Sequence, residues 1–389
     1  MNVCARLAVL MALGLSTACA VQPQKGTTGQ TLTPYTDAHW QKLPSEAYKG
    51  KQDDIFFVDR KTGFYVNGKG RIWRSRDGGA SWQKVLDQPG TYFRAIGMLD
   101  DRHGYAGNIG TDYFPGVTDT TPLYETNDGG DSWHALTGLP GPALKGICAI
   151  DILTVPFIDA GKLEHQHIIH VAGRVGGPAE LLRSLDGGKT WTHIDMNRWV
   201  AMIVDVKFFD AMNGIVFAGS DADIERSHAL IVATHDGGKR WEKVYESRRG
   251  WEITWKGYFP TRQIGYATVQ SYDEDKSHDQ RWIAKTTDGG KTWNELPLVK
   301  NAGVREFGVG FANPDLGWVG TSKGGFETRD GGLHWQPVEL GRYVNKLRIL
   351  PEGNHFTAYA VGSDVYEFAS PLALPAAPVD TSAVAVGKP

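Results

Sequence analysis

Short apolar and alternating runs follow one another along this chain in groups of four. An apolar first run ("DIFFVD", "VDVKFF", "FGVGFA") is followed by a glycine and a second run ("GFYVNG", "GIVFAG", "GWVGTS"). A third run ("RIWRS", "LIVAT", "GGFET") leads into a polar box, and a fourth begins on tryptophan ("WQKVL", "WTHI", "WEKV"). Runs this short, bounded by Gly, Asp and Ser, predict strands, and little in the chain has helical period. Four strands per repeat cannot bury both faces of their own sheet, so the pattern predicts blades stacked in a ring, an all-β propeller.

The box recurs as "SRDGGASW", "TNDGGDSW", "SLDGGKTW", "THDGGKRW", "TTDGGKTW" and "TRDGGLHW". Its aspartates, Asp77, Asp128, Asp186, Asp236, Asp288 and Asp330, lie 42 to 58 residues apart, the span of one four-stranded unit. Between antiparallel strands, Asp-Gly-Gly is turn chemistry. The carboxylate accepts backbone N–H groups, the glycines take positive φ, and the tryptophan supplies a large apolar surface. Each residue has a folding role, so the box reads as structural rather than as six binding sites.

Six boxes give six blades, and the chain ends supply a seventh. After Trp335 come "KLRIL", "TAYAVG" and "VYEFA", three strands without a box, while "HWQKLP" near the start matches "HWQPV" and "SWQKVL". The expectation is a seven-bladed propeller closed by an N-terminal strand that completes the last blade and removes an open edge.

The motif S/T-x-D-x-G-x-T/S-W resembles the Asp-box of bacterial neuraminidase repeats, with Arg240 and His334 departing from the small hydroxyl residue. Such boxes occur in sialidases, xyloglucanase-type glycoside hydrolases, sortilin-type receptors and the photosystem II stability/assembly factor family. The regular unit and the count of seven make residues 37–369 most similar to the last of these. That resemblance implies a non-catalytic scaffold that binds a partner protein through an arginine-bearing face and assists a membrane or envelope complex.

The first residues read as an export signal over 1–19: Arg6, then an apolar run from Leu7 to Leu15 too short to span a bilayer. "LSTAC" resembles a lipobox that would acylate Cys19, although Ser16 holds the place where Leu is usual; cleavage after Ala20 is the alternative. Either reading puts the protein outside the cytoplasm, on the periplasmic side of a bacterial envelope. Residues 20–36 read as a flexible tether and 370–389 as a Pro/Ala-rich tail. Cys148 would be the one thiol of the mature domain, in the apolar run "GICAID", and reads as a core thiol. The net charge of −3 over 389 residues argues against non-specific nucleic-acid binding. A monomer is expected.

Up-and-down strands place connections on two faces. The boxes should share a face with the first-to-second turns, leaving the opposite face to the long insertions Asn108–Thr121, Ser220–His228 and Ser271–Gln280. Basic residues recur just before the first strands: Arg94, Lys145, Arg198, Arg248, Arg305 and Lys346, with Arg249, Lys49 and Lys51 beside them. They predict a basic ring around the channel mouth that attracts an acidic segment, a carboxylate or an anionic polymer. The alternative is that they point apart into water.

The enzyme readings have less to stand on. The Arg-Ile-Pro-like motif that a sialidase would need is missing, and "GRIW" falls inside a strand. A xyloglucanase-like or lyase site would draw its opposed carboxylates from Asp112, Asp273, Glu274 and Asp275. In "EHQHIIH", strand alternation puts His165 and His167 on one side and His170 on the other, which favours structural roles over zinc. "SDADIE" and "DEDKSHD" lack calcium-loop spacing, and no nucleotide or cofactor fingerprint appears.

Overall fold

A computed structural model describes residues 39–369 except 143 and 354, together with the strand Ala385–Val386. The signal, Cys19, the tether and most of the tail lie outside the described residues. No helix occurs among those described. Instead there are seven sheets, each built on four antiparallel strands, paired in chain order in all but the last blade.

Blade 1 runs from Gln52–Phe57 to Gln83–Asp87, blade 2 from Phe93–Met98 to His134–Ala135, and blade 3 from Ala149–Asp159 to Thr192–Asp195. Blade 4 runs from Met202–Phe208 to Glu242–Glu246, blade 5 from Glu252–Tyr258 to Asn294–Lys300, and blade 6 from Glu306–Phe311 to Gln336–Val338. Blade 7 takes Lys346–Glu352, His355–Val361 and Val365–Ala369, and its outer strand is Trp40–Leu43, with Trp40 opposite Phe368 and Leu43 opposite Val365. First strands contact their neighbours around the ring, including blade 7 against blade 1. Blade 3 departs from the repeat. Its first two strands extend into a hairpin over 152–167, and Ala385–Val386 pairs in parallel with Phe157 and Ile158.

The box explains itself in its hydrogen bonds. Ser75 Oγ donates to Asp77 Oδ1 at 2.8 Å and accepts from Gly79 N at 2.8 Å. Asp77 in turn accepts from Ser81 N at 2.8 Å and Ser81 Oγ at 2.6 Å. Gly78 and Gly79 sit at φ 72° and 94°, where a side chain would be strained. The same bonds recur at Asp128, where the hydroxyl and amide of Ser132 hold the carboxyl down at about 2. Each box also donates to its own first-to-second turn or hairpin, as Gly78 N does to Lys61 O and Gly331 N to Asp315 O. Boxes and first-to-second turns therefore share one face.

Where the motif departs, the hydroxyl bond is lost at one turn and replaced at the other. Asp236 keeps Arg240 N at 2.9 Å but gains no hydroxyl, whereas the His334 ring replaces it at Asp330 at 2.6 Å. Arg240→Thr should thus raise stability by about 0.5–1 kcal/mol, and Asp186→Ala should lower it by about 0.5–2 kcal/mol. Thermal melting of the two variants checks both signs.

Blades pack through a repeated aromatic layer. Tyr359 of blade 7 stacks on Phe57 of blade 1 at 3.6 Å, and Tyr266 of blade 5 stacks on Phe311 of blade 6 at 3.6 Å. The box tryptophan of the second blade meets that phenylalanine edge-on, Trp82 against Phe57 and Trp335 against Phe311. Between blades 3 and 4 the tyrosine's place is taken by His170, stacked on Phe208 at 3.4 Å with Trp241 edge-on to the same ring. Tyr359 and Tyr266 also donate to a box carbonyl, at Gly78 and Gly331. Neither nitrogen of buried His170 has a hydrogen-bond partner. Its role is packing.

Candidate functional site

The first strands line the central channel, and their charged residues are tied together across it. Arg94 and Lys51 both pair with Asp53, Lys51 at 2.8 Å. Asn345 Nδ2 donates to the Asp53 carbonyl at 2.7 Å, and Asn345 Oδ1 accepts from Trp255 Nε1 at 2.8 Å. Lower in the strands, Lys346 and Lys256 face Asp205 at 3.6 and 3.8 Å, and Arg348 faces Asp54 at 3.3 Å. Burial pushes the Lys51 ammonium down to about 7, with Arg94 adding to the effect and Asp53 opposing it; burial likewise takes Lys346 down to about 8. These contacts join blades 1, 2, 4, 5 and 7, so the inner charges hold the ring together.

That arrangement divides the six predicted cations. Arg94 and Lys346 are not on the mouth: both are taken inside because carboxylates on neighbouring or facing first strands, Asp53 and Asp205, neutralise them. Lys145 is exposed and lies 3.7 Å from Asp112, which also meets Arg174 at 3.5 Å. Arg198 is exposed and stacks on Trp199 at 3.8 Å. Arg248 is exposed, while its neighbour Arg249 is committed to Glu252 and Glu295, each at 2.7 Å. Arg305 lies half-buried over the Tyr272 ring at 4.3 Å.

The three long insertions all join second to third strands, on the face opposite the boxes. Around the blade 5 loop, 272–279, lie two cavities. One, of about 450 Å³, is lined by Arg305, Lys323, Arg342, Phe307 and Tyr343 together with loop residues Asp273 and Glu274. No carboxylate pairs with Arg305, Lys323 or Arg342 among the described residues, so this groove carries cations available to a ligand. The other, of about 600 Å³, lies between the loop and Trp251, Glu252, Arg281 and Trp282.

Trp251 at φ 64° and Tyr343 at φ 55° are left-handed non-glycine residues, both exposed aromatics, and one lines each cavity. Backbone bonds hold them there, from Tyr272 N to Trp251 O and from Tyr343 N to Thr321 O, each 2.8 Å. Bulky residues in this region store strain, and such strain gathers at binding sites. Composition and spacing give no sign of it. Arg342 and Lys323 also escaped sequence reading, because one shares its crossing with Lys346 and the other sits in a short turn.

Of the loop carboxylates, Asp273 accepts from Asp275 N at 2.9 Å and pairs with His278 at 2.7 Å, both of which hold it below the usual range. A carboxyl so held is a poor proton donor. His165 and His167 lie on the blade 3 hairpin opposite Pro156 and Thr154, away from buried His170. No group of three or more metal-ligating side chains occurs among the described residues. Cys148 is buried and accepts a weak bond from Val175 N at 3.4 Å.

No family model matches the chain. The curated xyloglucanase Xgh74A of Acetivibrio thermocellus is 26% identical over 273 residues, which is 64% of this chain but 27% of that protein. The chain thus spans about a quarter of that relative's length. Among solved structures, "YCF48 bound to D1 peptide" aligns with TM-score 0.57 at 18% identity over 87% of this chain and 96% of the other. YCF48 from Cyanidioschyzon merolae aligns with TM-score 0.58 at 15% identity over 86% and 99%. The near-complete coverage in both directions means that no blade is added or missing relative to them. In fold, this chain is a YCF48-like seven-bladed β-propeller.

Proposed function

We propose that this protein is a non-catalytic scaffold that binds an acidic segment of a partner protein on its loop-rich face and assists assembly or stability of a membrane or envelope complex. The observation that carries the reading is the groove of Arg305, Lys323 and Arg342, three cations that pair with no carboxylate among the described residues, beside exposed Tyr343. Guanidinium groups pair well with carboxylates, and an aromatic floor adds apolar contact. The YCF48 structure with a bound D1 peptide supports a propeller of this fold taking a peptide. An export signal and acylation at Cys19 would bring the protein to the membrane surface as a monomer on the periplasmic side. Lys145, Arg198 and Arg248 extend the basic face beyond the groove.

The second reading, a carbohydrate-active enzyme, draws on the similarity to part of a xyloglucanase. It needs an opposed acid and base on the same loops. The two readings part on one variant. Arg305→Glu/Arg342→Glu should abolish capture of the partner after mild cross-linking in the native envelope, with the melting temperature kept. Unchanged capture by that variant, or turnover of a β-glucan by the wild type, would refute the scaffold.

A further inference from the structure

We propose that the cavity between Trp251, Trp282 and the blade 5 loop is a pocket for a cationic side chain, an arginine or lysine of the bound partner, held against Trp251 and Glu252. This rests on the peptide-binding reading of the loop-rich face and adds to it a required basic residue.

Glu252 lines the cavity at 3% exposure. One carboxylate oxygen accepts from Arg249 Nε at 2.7 Å; the other, buried, meets no donor. Beside it, burial pushes the Glu306 carboxyl up to about 8, so that group keeps its own proton, and Ser271 N donates to one of its oxygens at 3.2 Å. A buried carboxylate oxygen without a donor is costly, and a cation supplies what it lacks.

The wall's own cations are already committed. Arg249 spends its other nitrogens on Glu295 at 3.0 and 2.7 Å. Arg281, itself buried, donates to the carbonyls of Val304, His278, Asp273 and Ala302. Against these two stand Glu252, Asp273, Asp275 and Asp279, so the wall is acidic in balance even with His278 paired to Asp273. Trp251, 39% exposed, offers an indole face, the best of the aromatic surfaces for a cation. The neighbouring groove has the opposite sign, with Arg305, Lys323 and Arg342 across the same loop. A peptide with one acidic and one basic residue is thereby held in one direction, because reversing it would place like charges together.

The test is ligand-observed NMR on the full chain with Nα-acetyl-arginine N-methylamide, beside the isosteric citrulline compound and a neutral β-glucan oligosaccharide. The arginine probe should bind saturably and the citrulline probe at least tenfold more weakly. Glu252→Gln should weaken the arginine probe at least tenfold, and Trp251→Ala, which leaves the buried carboxylate in place, should weaken it at least threefold. Arg305→Glu/Arg342→Glu should not weaken it, since that variant disables only the groove. Equal binding of citrulline, no saturable binding of arginine, or binding of the oligosaccharide alone overturns the inference. If arginine fails while partner capture still depends on Arg305 and Arg342, the cation pocket falls and the scaffold stands. If arginine binds while capture ignores the groove, the scaffold falls instead.

Discussion

Arg94→Met is expected to destabilise the propeller by about 3–5 kcal/mol, the usual loss when one member of a buried ion pair is removed. The guanidinium pairs with Asp53, and both side chains are almost wholly buried. Without it, Asp53 keeps only Lys51 at 2.8 Å, whose ammonium is still disfavoured by burial once the repulsion from Arg94 is gone. One Asp53 oxygen has no partner even in the intact protein. Arg94→Met/Asp53→Asn should recover part of the loss, because the buried carboxylate is gone while Lys51 gives up its partner. Denaturant titration of the single and double variants measures both. A single-variant loss below about 1 kcal/mol would mean that the pair is solvated and the channel is not the fastening inferred here. Arg94 is accordingly a poor choice for testing partner binding, since its loss would act through the fold.

His170 gives the second large effect, and it depends on pH. Burial, reinforced by Arg183 and Lys207, holds its pKa well below the ordinary 6.5. The unfolded chain takes up a proton near pH 6.5 that the folded chain refuses. Stability from this group is therefore intact above about pH 6.5 and lost as pH falls below it, by about 1.4 kcal/mol per pH unit while His170 stays neutral. From pH 6.5 to 5 that amounts to about 2 kcal/mol. His170→Phe keeps the stack on Phe208 and removes the titration, so its stability should fall less over this window by about that amount. Denaturation midpoints of both proteins at pH 7, 6 and 5 decide it, and parallel curves would contradict a neutral buried imidazole.

Blade count and closure were legible because each blade repeats its own turn chemistry. Asp-Gly-Gly followed by Trp marks the third-to-fourth turn, and the stray "HWQKLP" has no role except as the missing outer strand of blade 7. The loop-rich face followed from strand alternation alone. Side-chain fate was less legible. Arg94 and Arg305 stand at the same offset from their box aspartates, yet one is buried against Asp53 and the other lies half-buried over Tyr272. The difference is set by what the neighbouring blade presents, at Asp53 for Arg94 and at Tyr272 for Arg305, far off in sequence. The unpartnered Glu252 oxygen and the left-handed Trp251 and Tyr343 depend on packing between blades, which no local pattern encodes.

The most direct test of the scaffold is site-specific photo-cross-linking in the native envelope, with the reactive side chain placed at position 323 in the groove or at 239 on the box face. The account predicts one membrane or envelope protein joined to the groove position, absent from the box-face position and lost in an Arg305→Glu/Arg342→Glu background. Equal products from both faces, or a product that persists in that background, would contradict it.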